Sequence, residues 1–191
     1  MIYINDHVDD LNIDAALEQV SPQRREQALR FRHEAGQRLC LAAYILLMEG
    51  LREEYGITEP PEFGYTLEGK PFIIGHPDIH FNFSHSGTVA LCVLDHQPVG
   101  VDVETFRKIS PSLVAYTMND HEREWIAAAS DSTAAFLQLW TRKEAVLKLT
   151  GEGIRNDLKT VLDNIGKCEI ETVQTDNYVY SIAKFKKDPV A

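Results

Sequence analysis

The spacing of apolar residues predicts two helices in the first part of the chain. Ser21-Pro22 has the form of a helix start, because Ser is a good N-cap and Pro fits the first helical position. The helix that it opens is expected to run to about His33. A second, more apolar helix is predicted from about Gln37 to Glu54, with Gly56 as its stop. The Pro- and Gly-rich stretch from Glu59 to Ile79 predicts loops and short strands.

Apolar runs predict several strands further along the chain. Residues from Ile79 to Phe83 and from Thr88 to Leu94 are apolar and β-prone, with the polar turn SHSG between them. Later elements are helices at about Ser112–Tyr116, Asp120–Ala129 and Thr133–Leu149, and strands at Val99–Glu104, Cys168–Val173 and Tyr178–Phe185. The predicted order is two helices followed by strands, and then a strand, helices and further strands. This order predicts an α+β chain in two halves, residues 1–98 and 99–191.

Charge and composition exclude several classes of function. The chain has 191 residues and a net charge of −10, and the first half carries seven basic and fifteen acidic side chains. Such an acidic protein is not expected to bind nucleic acid or an anionic membrane. The longest apolar run, Leu39 to Met48, is too short to span a bilayer, and the start of the chain shows no signal-peptide pattern. Cys40, Cys92 and Cys168 predict reduced thiols of a cytoplasmic protein.

The segment VGVDVE places two carboxylates side by side on a strand. Alternation puts Gly100, Asp102 and Glu104 on one face and three valines on the other, with the two acids about 7 Å apart at their Cα atoms. An isolated pair of this kind is most often the solvated face of a strand. A divalent cation would relieve the repulsion, and Mg²⁺ commonly takes one or two carboxylates together with substrate phosphates.

A third carboxylate falls within the apolar arc of the last long helix. At about 100° per residue, Glu144 lies one turn after Trp140 on the arc, and Lys148 follows at its edge. The simplest explanation is an i, i+4 pair between Glu144 and Lys148 on a helix surface. On a buried arc a carboxylate needs a stronger partner, and a metal shared with Asp102 and Glu104 would supply one.

Two basic residues lie where a helix dipole disfavours them. Arg24 and Arg25 are in the first turn after Ser21, where an anion would be stabilised. Backbone N–H groups and guanidinium groups together would form a phosphate site, although surface arginines near helix starts are common. Three acids and a set of cations indicate phosphoryl transfer more than glycoside hydrolysis, which uses paired acids without the cations. A zinc site at His76, His80 and His85 is not expected.

Three motifs together resemble those of the 4′-phosphopantetheinyl transferase superfamily. They are FNFSHSG, GVDVE and WTRKEAVLKLTGEG, in this order and spacing, and the resemblance extends upstream to SPQRREQALRF and EGKPFI. It covers roughly residues 20 to 160. More narrowly, the chain resembles the monomeric type that activates peptide and polyketide synthetases.

The resemblance implies a fold and a reaction. The fold would be α+β with two pseudo-twofold-related halves, each a small, mostly antiparallel sheet packed with helices, and coenzyme A in the cleft between them. The N-terminal half would contact the 3′-phosphate and adenine, and the C-terminal half would carry Mg²⁺ and the catalytic residues. The reaction would move 4′-phosphopantetheine from coenzyme A to a serine of an apo acyl, peptidyl or aryl carrier protein, releasing adenosine 3′,5′-bisphosphate.

The resemblance also implies roles for individual residues. Asp102, Glu104 and Glu144 match Mg²⁺ ligands, and Glu144 also matches the acceptor of the serine proton, directly or through water. Lys148 matches a lysine that touches a coenzyme A phosphate. The predicted contacts to coenzyme A are completed by Arg24, Arg38, Lys70, Ser84 and His85, with His85 directed at the 3′-phosphate.

Two departures and two alternatives accompany this interpretation. Gln27 and Gln37 replace charged residues that relatives carry, so the 3′-phosphate contacts are less well defined, and Arg25 is a candidate substitute for the cation missing at Gln27. The alternative functions are a Mg²⁺-dependent hydrolase of a coenzyme A-like pyrophosphate and a non-enzymatic module that binds coenzyme A or a carrier protein. A carrier protein is expected to dock between Phe106 and Trp125, a stretch that includes Arg107, Lys108, Tyr116 and Met118.

Overall fold

The computed structural model describes residues 1–151, 158–163 and 165–186, and the chain divides into two compact units, Met1–His96 and Gln97–Ala191. Each unit contains a three-stranded antiparallel sheet with one long helix packed against it. The mixed α+β class expected from the sequence is therefore confirmed. The last two residues of the motif WTRKEAVLKLTGEG, Glu152 and Gly153, lie outside the described residues.

The N-terminal unit contains three helices and five strands among the residues that the structure describes. They are β1 (Ile2–Asn5), α1 (Ile13–Gln19), α2 (Pro22–Leu29), α3 (Glu34–Tyr55), β2 (Phe63–Tyr65), β3 (Pro71–Ile73), β4 (His80–Ser86) and β5 (Val89–Asp95). The core of this unit lies between α3 and the sheet, where Leu47, Leu51, Phe81 and Leu94 are buried. The first twenty residues add β1 and α1, which the apolar pattern had not indicated.

The described residues of the C-terminal unit form three helices and three strands. They are β6 (Val99–Thr105), α4 (Pro111–Thr117), α5 (Asp120–Ala128), α6 (Ser132–Thr150), β7 (Cys168–Gln174) and β8 (Tyr178–Phe185). These bounds agree within about two residues with the sequence-based expectations. None of the helices in the described part of the chain has the length and apolar character needed to cross a membrane. All three cysteines are free thiols, as expected.

The two sheets share one topology. In the N-terminal unit the order is β1-β5-β4, and in the C-terminal unit it is β6-β8-β7. In both, the last strand of the unit lies in the centre, paired with the first strand on one side and with its hairpin partner on the other. The long helix, α3 or α6, comes between the first strand and the hairpin in both units. This internal repeat of topology has no counterpart in the sequence pattern.

Two predicted elements have different bounds from those expected. The helix α2 ends at Leu29, before His33, because the chain turns at Arg30, and the Phe31 ring then lies against Gly36 in the first turn of α3. The segment HFNFSHSG was expected to contain a four-residue polar turn. Instead, β4 continues through Ser86, and only Gly87 and Thr88 form the turn, with Gly87 at a φ of 57°.

Gly100 allows α6 to lie directly against β6. A Cβ atom at this position would be 2.1 Å from the carbonyl oxygen of Ala145 and 2.4 Å from the backbone nitrogen of Leu149. Both atoms belong to helix backbone, so no side-chain rotation could relieve the overlap. The face of β6 that carries Gly100 is therefore the face that α6 covers, and the spacing between them has room only for glycine.

Replacing Gly100 with alanine should destabilise the C-terminal unit, because α6 would have to move away from β6. We expect the free energy of unfolding to fall by about 3 kcal/mol, as in severe overpacking. The matched control is Gly166→Ala, since a Cβ atom there would meet nothing within 4 Å. Urea unfolding of both variants measures the difference, and equal stability of the two proteins would contradict the close approach.

Candidate active site

The acids of β6 lie on the face that α6 covers. Asp102 is two residues from Gly100 on the strand and is 6% exposed, and Glu104 follows it on the same face. Val101 and Val103, on the opposite face, are also buried, at 0% and 1% exposure. A strand with one solvated face is therefore not what the structure contains. The carboxylates lie between a sheet and a helix, where they require partners.

Residues of α6 supply two of these partners. The Nζ atom of Lys148 donates a hydrogen bond to Oδ1 of Asp102 at 2.7 Å. The indole Nε1 of Trp140 donates to Oε1 of Glu104 at 3.1 Å, and Arg107 lies 3.6 Å from the other oxygen of Glu104. Lys148 thus pairs with an acid on the neighbouring strand, so a simple i, i+4 pair with Glu144 does not explain its position.

Glu144 completes the cluster from the same helix. It is 8% exposed, and its buried Oε1 has no hydrogen-bond partner among the described residues. Burial raises the pKa of Glu144, the negative charge of Asp102 raises it further, and the positive charge of Lys148 opposes the shift. Glu104 adds a smaller upward contribution. These mutual effects show that the three acids and the lysine form one electrostatic cluster in the C-terminal unit.

The predicted coenzyme A contact at Arg24 has an aromatic environment. Arg24 is only 9% exposed, and its guanidinium lies over the rings of Tyr44, Phe63 and Phe83, at 4.8, 5.8 and 5.7 Å from their centroids. Its Nη1 atom donates to Sγ of Cys40 at 3.6 Å. Within the described part of the chain no carboxylate forms an ion pair with it. Cation–π contacts therefore hold the charge where an acid is absent.

The other two arginines singled out in the sequence, Arg25 and Arg38, donate to backbone carbonyl oxygens in or just before α1. The guanidinium of Arg25 donates twice to the Leu17 carbonyl oxygen, at 2.9 and 2.6 Å, in the last turn of α1. The negative end of α1 thus offsets the unfavourable position of Arg25 at the start of α2, which means that no bound anion is needed to explain it. Arg38 donates to the Leu11 carbonyl oxygen and pairs with Glu34.

The remaining predicted contacts are distributed along β4. Ser84 and His85 are consecutive on the strand and therefore point to opposite faces, Ser84 buried and His85 exposed. Burial lowers the pKa of His80, at the other end of the strand, and the positive charge of Lys70 lowers it further. His80 and His85 are about 17 Å apart along the strand.

The chain is similar in sequence to one family of known proteins. A family model described as the 4′-phosphopantetheinyl transferase superfamily matches residues 98–188. The 4′-phosphopantetheinyl transferase Sfp of Bacillus subtilis (strain 168) is 30% identical over 176 residues, covering 89% of this chain and 78% of the relative. The chain belongs to the 4′-phosphopantetheinyl transferase superfamily. The 4′-phosphopantetheinyl transferase psf-1 of Bacillus pumilus is 29% identical over 96% of this chain and 88% of its own length.

Membership of the superfamily confirms the enzyme class expected from the motifs, that of a 4′-phosphopantetheinyl transferase. The 4′-phosphopantetheinyl transferase AcpT of Salmonella typhimurium is 31% identical over 124 residues, which extends the similarity beyond the Bacillus proteins. The chain is thus a transferase of the phosphopantetheinyl class, and the motif GVDVE together with WTRKEAVLK correctly indicated it.

Sequence reasoning missed three features of the site in this phosphopantetheinyl transferase. The role of Gly100 in helix approach, the hydrogen bond from Trp140 to Glu104, and the ion pair between Lys148 and Asp102 all depend on which helix covers the strand. The glycine next to two acids and the small Ala145 beside Glu144 were signals of a close helix–strand contact. Their use would have required knowing that α6 pairs with β6.

A double-mutant cycle should measure the coupling between Lys148 and Asp102. Lys148→Met removes the charge but keeps most of the side-chain volume, and it should lower the free energy of unfolding by about 2 kcal/mol, because a buried carboxylate loses its donor. With Asp102→Asn also present, the further loss should be smaller than additive by about 1 kcal/mol.

The control cycle for this measurement is the exposed pair Glu26–Arg30, whose side chains are 70% and 73% accessible. Arg30→Met and Glu26→Gln, made singly and together, should show a coupling below about 0.5 kcal/mol. Urea unfolding in the presence of a chelator measures both cycles. Equal couplings for the two pairs would mean that the contact between Lys148 and Asp102 is no stronger than a surface contact.

Proposed function

We propose that this protein transfers the 4′-phosphopantetheine group from coenzyme A to the serine hydroxyl of an apo carrier protein, using the cluster on β6 and α6. The observation that carries the proposal is the position of Glu144 beside the Asp102–Lys148 pair. It combines a carboxylate of raised pKa with an ammonium group that can meet a phosphate. The donor, the metal and the residue roles below are part of this proposal.

Magnesium is the metal that the acids of the cluster would hold. Among the described residues no group of three or more His, Cys, Asp or Glu side chains is gathered closely enough to bind a metal by itself. Mg²⁺ does not require such a group, since it usually takes one or two carboxylates and keeps water and phosphate oxygens in its shell. The unpartnered Oε1 of Glu144 and its repulsion from Asp102 and Glu104 fit such a cation. When bound, Mg²⁺ would neutralise charge on the pyrophosphate.

Glu144 would act on the attacking serine, and Lys148 would act on the phosphate oxygens. The serine oxygen forms a bond to the phosphorus that carries pantetheine, and the bond from that phosphorus to the bridging oxygen breaks, so adenosine 3′,5′-bisphosphate leaves. Glu144 accepts the serine proton, directly or through water. Lys148 stabilises the charge on the phosphate oxygens.

The N-terminal unit would bind the nucleotide end of coenzyme A. Arg24 is suited to the 3′-phosphate, because its guanidinium is held by rings and a thiol and not by a carboxylate. His85 is exposed on β4 and remains the second predicted phosphate contact, while Ser84, on the opposite face of the strand, remains a predicted contact to coenzyme A. Lys70, whose pKa is lowered by burial, remains the predicted adenine contact. Arg38 remains a predicted contact at the start of α3.

The carrier protein would dock on the surface formed by residues 106–125, which we call the docking surface. Tyr116 and Trp125 are 67% and 47% exposed there, and Arg107 and Lys108 are also exposed. Met118 is 0% exposed, so its predicted part in docking was wrong. A pocket of about 340 Å³ opens between α4, α5 and the start of α6, lined by apolar side chains that include Val114, Ile126 and Phe136. Apolar recesses bordered by cations fit an acidic helix of a carrier protein.

Further expectations belong to the same proposal. We place the enzyme in the cytoplasm as a monomer, acting on coenzyme A and carrier protein and not on nucleic acid or membranes. The free thiols of Cys40, Cys92 and Cys168 agree with a reducing compartment.

The proposal is tested by mixing the protein with an apo carrier protein, coenzyme A and Mg²⁺ and measuring the carrier by mass spectrometry. We expect the carrier to gain the mass of the phosphopantetheinyl group on its serine. Loss of coenzyme A with an unmodified carrier would instead indicate a hydrolase. Binding without any change in either molecule would indicate a non-enzymatic module.

Neutralising the acids of the cluster should abolish transfer while the fold is kept. Asp102→Asn and Glu144→Gln should each lower kcat by about a hundredfold or more, because the metal site or the proton acceptor is lost. Chelation of Mg²⁺ should have the same effect on the wild-type protein, and added Mg²⁺ should reverse it. Glu26→Gln, an exposed acid of α2, is the matched control. An Asp102→Asn rate close to the wild-type rate would refute the metal site.

Discrimination between coenzyme A and its 3′-dephospho form should depend on Arg24 and not on Arg25. Arg24→Gln removes a charged hydrogen-bond donor, so the ratio of kcat/KM for the two donors should fall about tenfold. Arg25→Gln is the control, since Arg25 is held by the Leu17 carbonyl oxygen. A ratio that collapses only in Arg25→Gln would make Arg25 the substitute for the cation missing at Gln27.

A further inference from the structure

The C-terminal unit contains a fully buried ammonium group that the proposed chemistry does not use. Lys143 is 0% exposed and precedes Glu144 on α6. Its Nζ atom donates to Oε2 of Glu122 at 2.7 Å, to the Leu158 carbonyl oxygen at 2.8 Å and to the Thr117 carbonyl oxygen at 3.0 Å. An ammonium group has three donors, so these acceptors use all of them. Lys143 is therefore not available to a phosphate.

The network continues from Glu122 into the start of α5. The backbone nitrogen of Asn119 donates to Glu122 Oε2 at 2.9 Å, and the backbone nitrogen of Glu122 donates to Asn119 Oδ1 at 2.9 Å, which forms a capping box. The side-chain amide of Asn119 also donates to the Lys159 carbonyl oxygen at 3.0 Å. One hydrogen-bonded cluster, buried around Lys143, thus joins α6, the end of α4, the start of α5 and the backbone at residues 158–159.

The elements that Lys143 joins to α6 are those that carry the docking surface. Thr117 is the last residue of α4 and follows the exposed Tyr116, and Glu122 is one turn before the exposed Trp125 on α5. The same helix α6 carries Glu144 and Lys148. Since α4 and α5 are short helices of seven and nine residues, their orientation depends on such tertiary contacts more than on their own stability.

We propose that Lys143 is a positioning residue for carrier recognition, which fixes the docking surface relative to the helix that carries Glu144. The inference rests on the proposed function. A buried ion pair contributes less to net stability than its short distances suggest, because both charges lose their hydration. The three acceptors of Lys143 come from three separate elements, however, so its ammonium group has one position that satisfies all of them. That requirement sets the relative geometry of the elements.

The main test is the double variant Lys143→Met/Glu122→Gln. It removes both charges together, so no unpaired charge stays buried, and Gln can still accept from the Asn119 backbone. We expect the KM for the carrier protein to rise about fivefold or more, while the KM for coenzyme A stays within about twofold of wild type. A folded double variant with an unchanged carrier KM, or with parallel changes in both KM values, would overturn the proposal.

A milder variant covers the case in which the double variant does not fold. Asn119→Ser keeps a side-chain acceptor to cap α5, adds no charge to the docking surface and removes the amide that donates to the Lys159 carbonyl oxygen. The matched control is Asn12→Ser, because Asn12 caps α1 through its Oδ1 in the same way. Asn119→Ser should raise the carrier KM, and Asn12→Ser should leave it unchanged. No difference between the two would overturn the proposal.

Hydrogen exchange separates this inference from the proposed function. Backbone amides of residues 111–128 should exchange faster in Lys143→Met/Glu122→Gln than in wild type, and those of α3 should not change. Failure of the wild-type protein to modify any carrier would refute the proposed function but would not alter the exchange result. Unchanged exchange at residues 111–128 would refute the positioning role whatever the activity.

Discussion

The direct contact between the backbone of α6 and Gly100 of β6 determines the rest of the C-terminal unit. Because no Cβ separates the two elements, side chains that flank Gly100 on the strand meet side chains that flank Ala145 on the helix. Asp102 then lies within hydrogen-bond distance of Lys148, and Glu104 reaches Trp140. A larger residue at position 100 would separate these pairs and leave buried carboxylates without donors, which is costly in an apolar interior. The chemistry of the site thus depends on the absence of one methyl group.

Buried charges in this unit form two clusters with different consequences. Glu144 and Lys143 are neighbours in sequence, but on a helix they point about 100° apart, so each enters a different cluster. Burial raises the pKa of Glu144 and the neighbouring acids raise it further, which fits the proposed part of this carboxylate in holding a cation. Lys143 lies among acceptors that match its three donors, as expected of a residue that holds neighbouring elements in position. In the proposed function, the motif KE therefore combines a positioning residue, Lys143, with a catalytic one, Glu144.

In the N-terminal unit, the charges of Arg24 and Arg25 are stabilised by neutral groups. Arg24 is buried against three aromatic rings, and Arg25 is held by a carbonyl oxygen at the end of α1. Neither contact neutralises the positive charge of the arginine. The positive potential of these side chains therefore persists in a unit whose net charge is strongly negative. A ligand anion would therefore be drawn to this local cation and repelled by the remaining surface, which fits a phosphate-bearing substrate.

The sequence by itself determined the class of fold, most of the elements and the superfamily. Period-2 alternation in VGVDVE and helical spacing around WTRKEAVLK are local properties, so the strand, the helix and the face that carries each acid could be predicted from nearby residues alone. The β1 strand, the extension of β4 through Ser86 and the environments of Arg24 and Arg25 could not, because they depend on contacts between residues distant in sequence. Only the tertiary structure decided that Lys148 pairs with Asp102, that Lys143 is buried with Glu122, and that Met118 is inaccessible. The local sequence pattern predicts the face of its helix or strand on which a side chain lies, but tertiary packing determines which residue that side chain contacts.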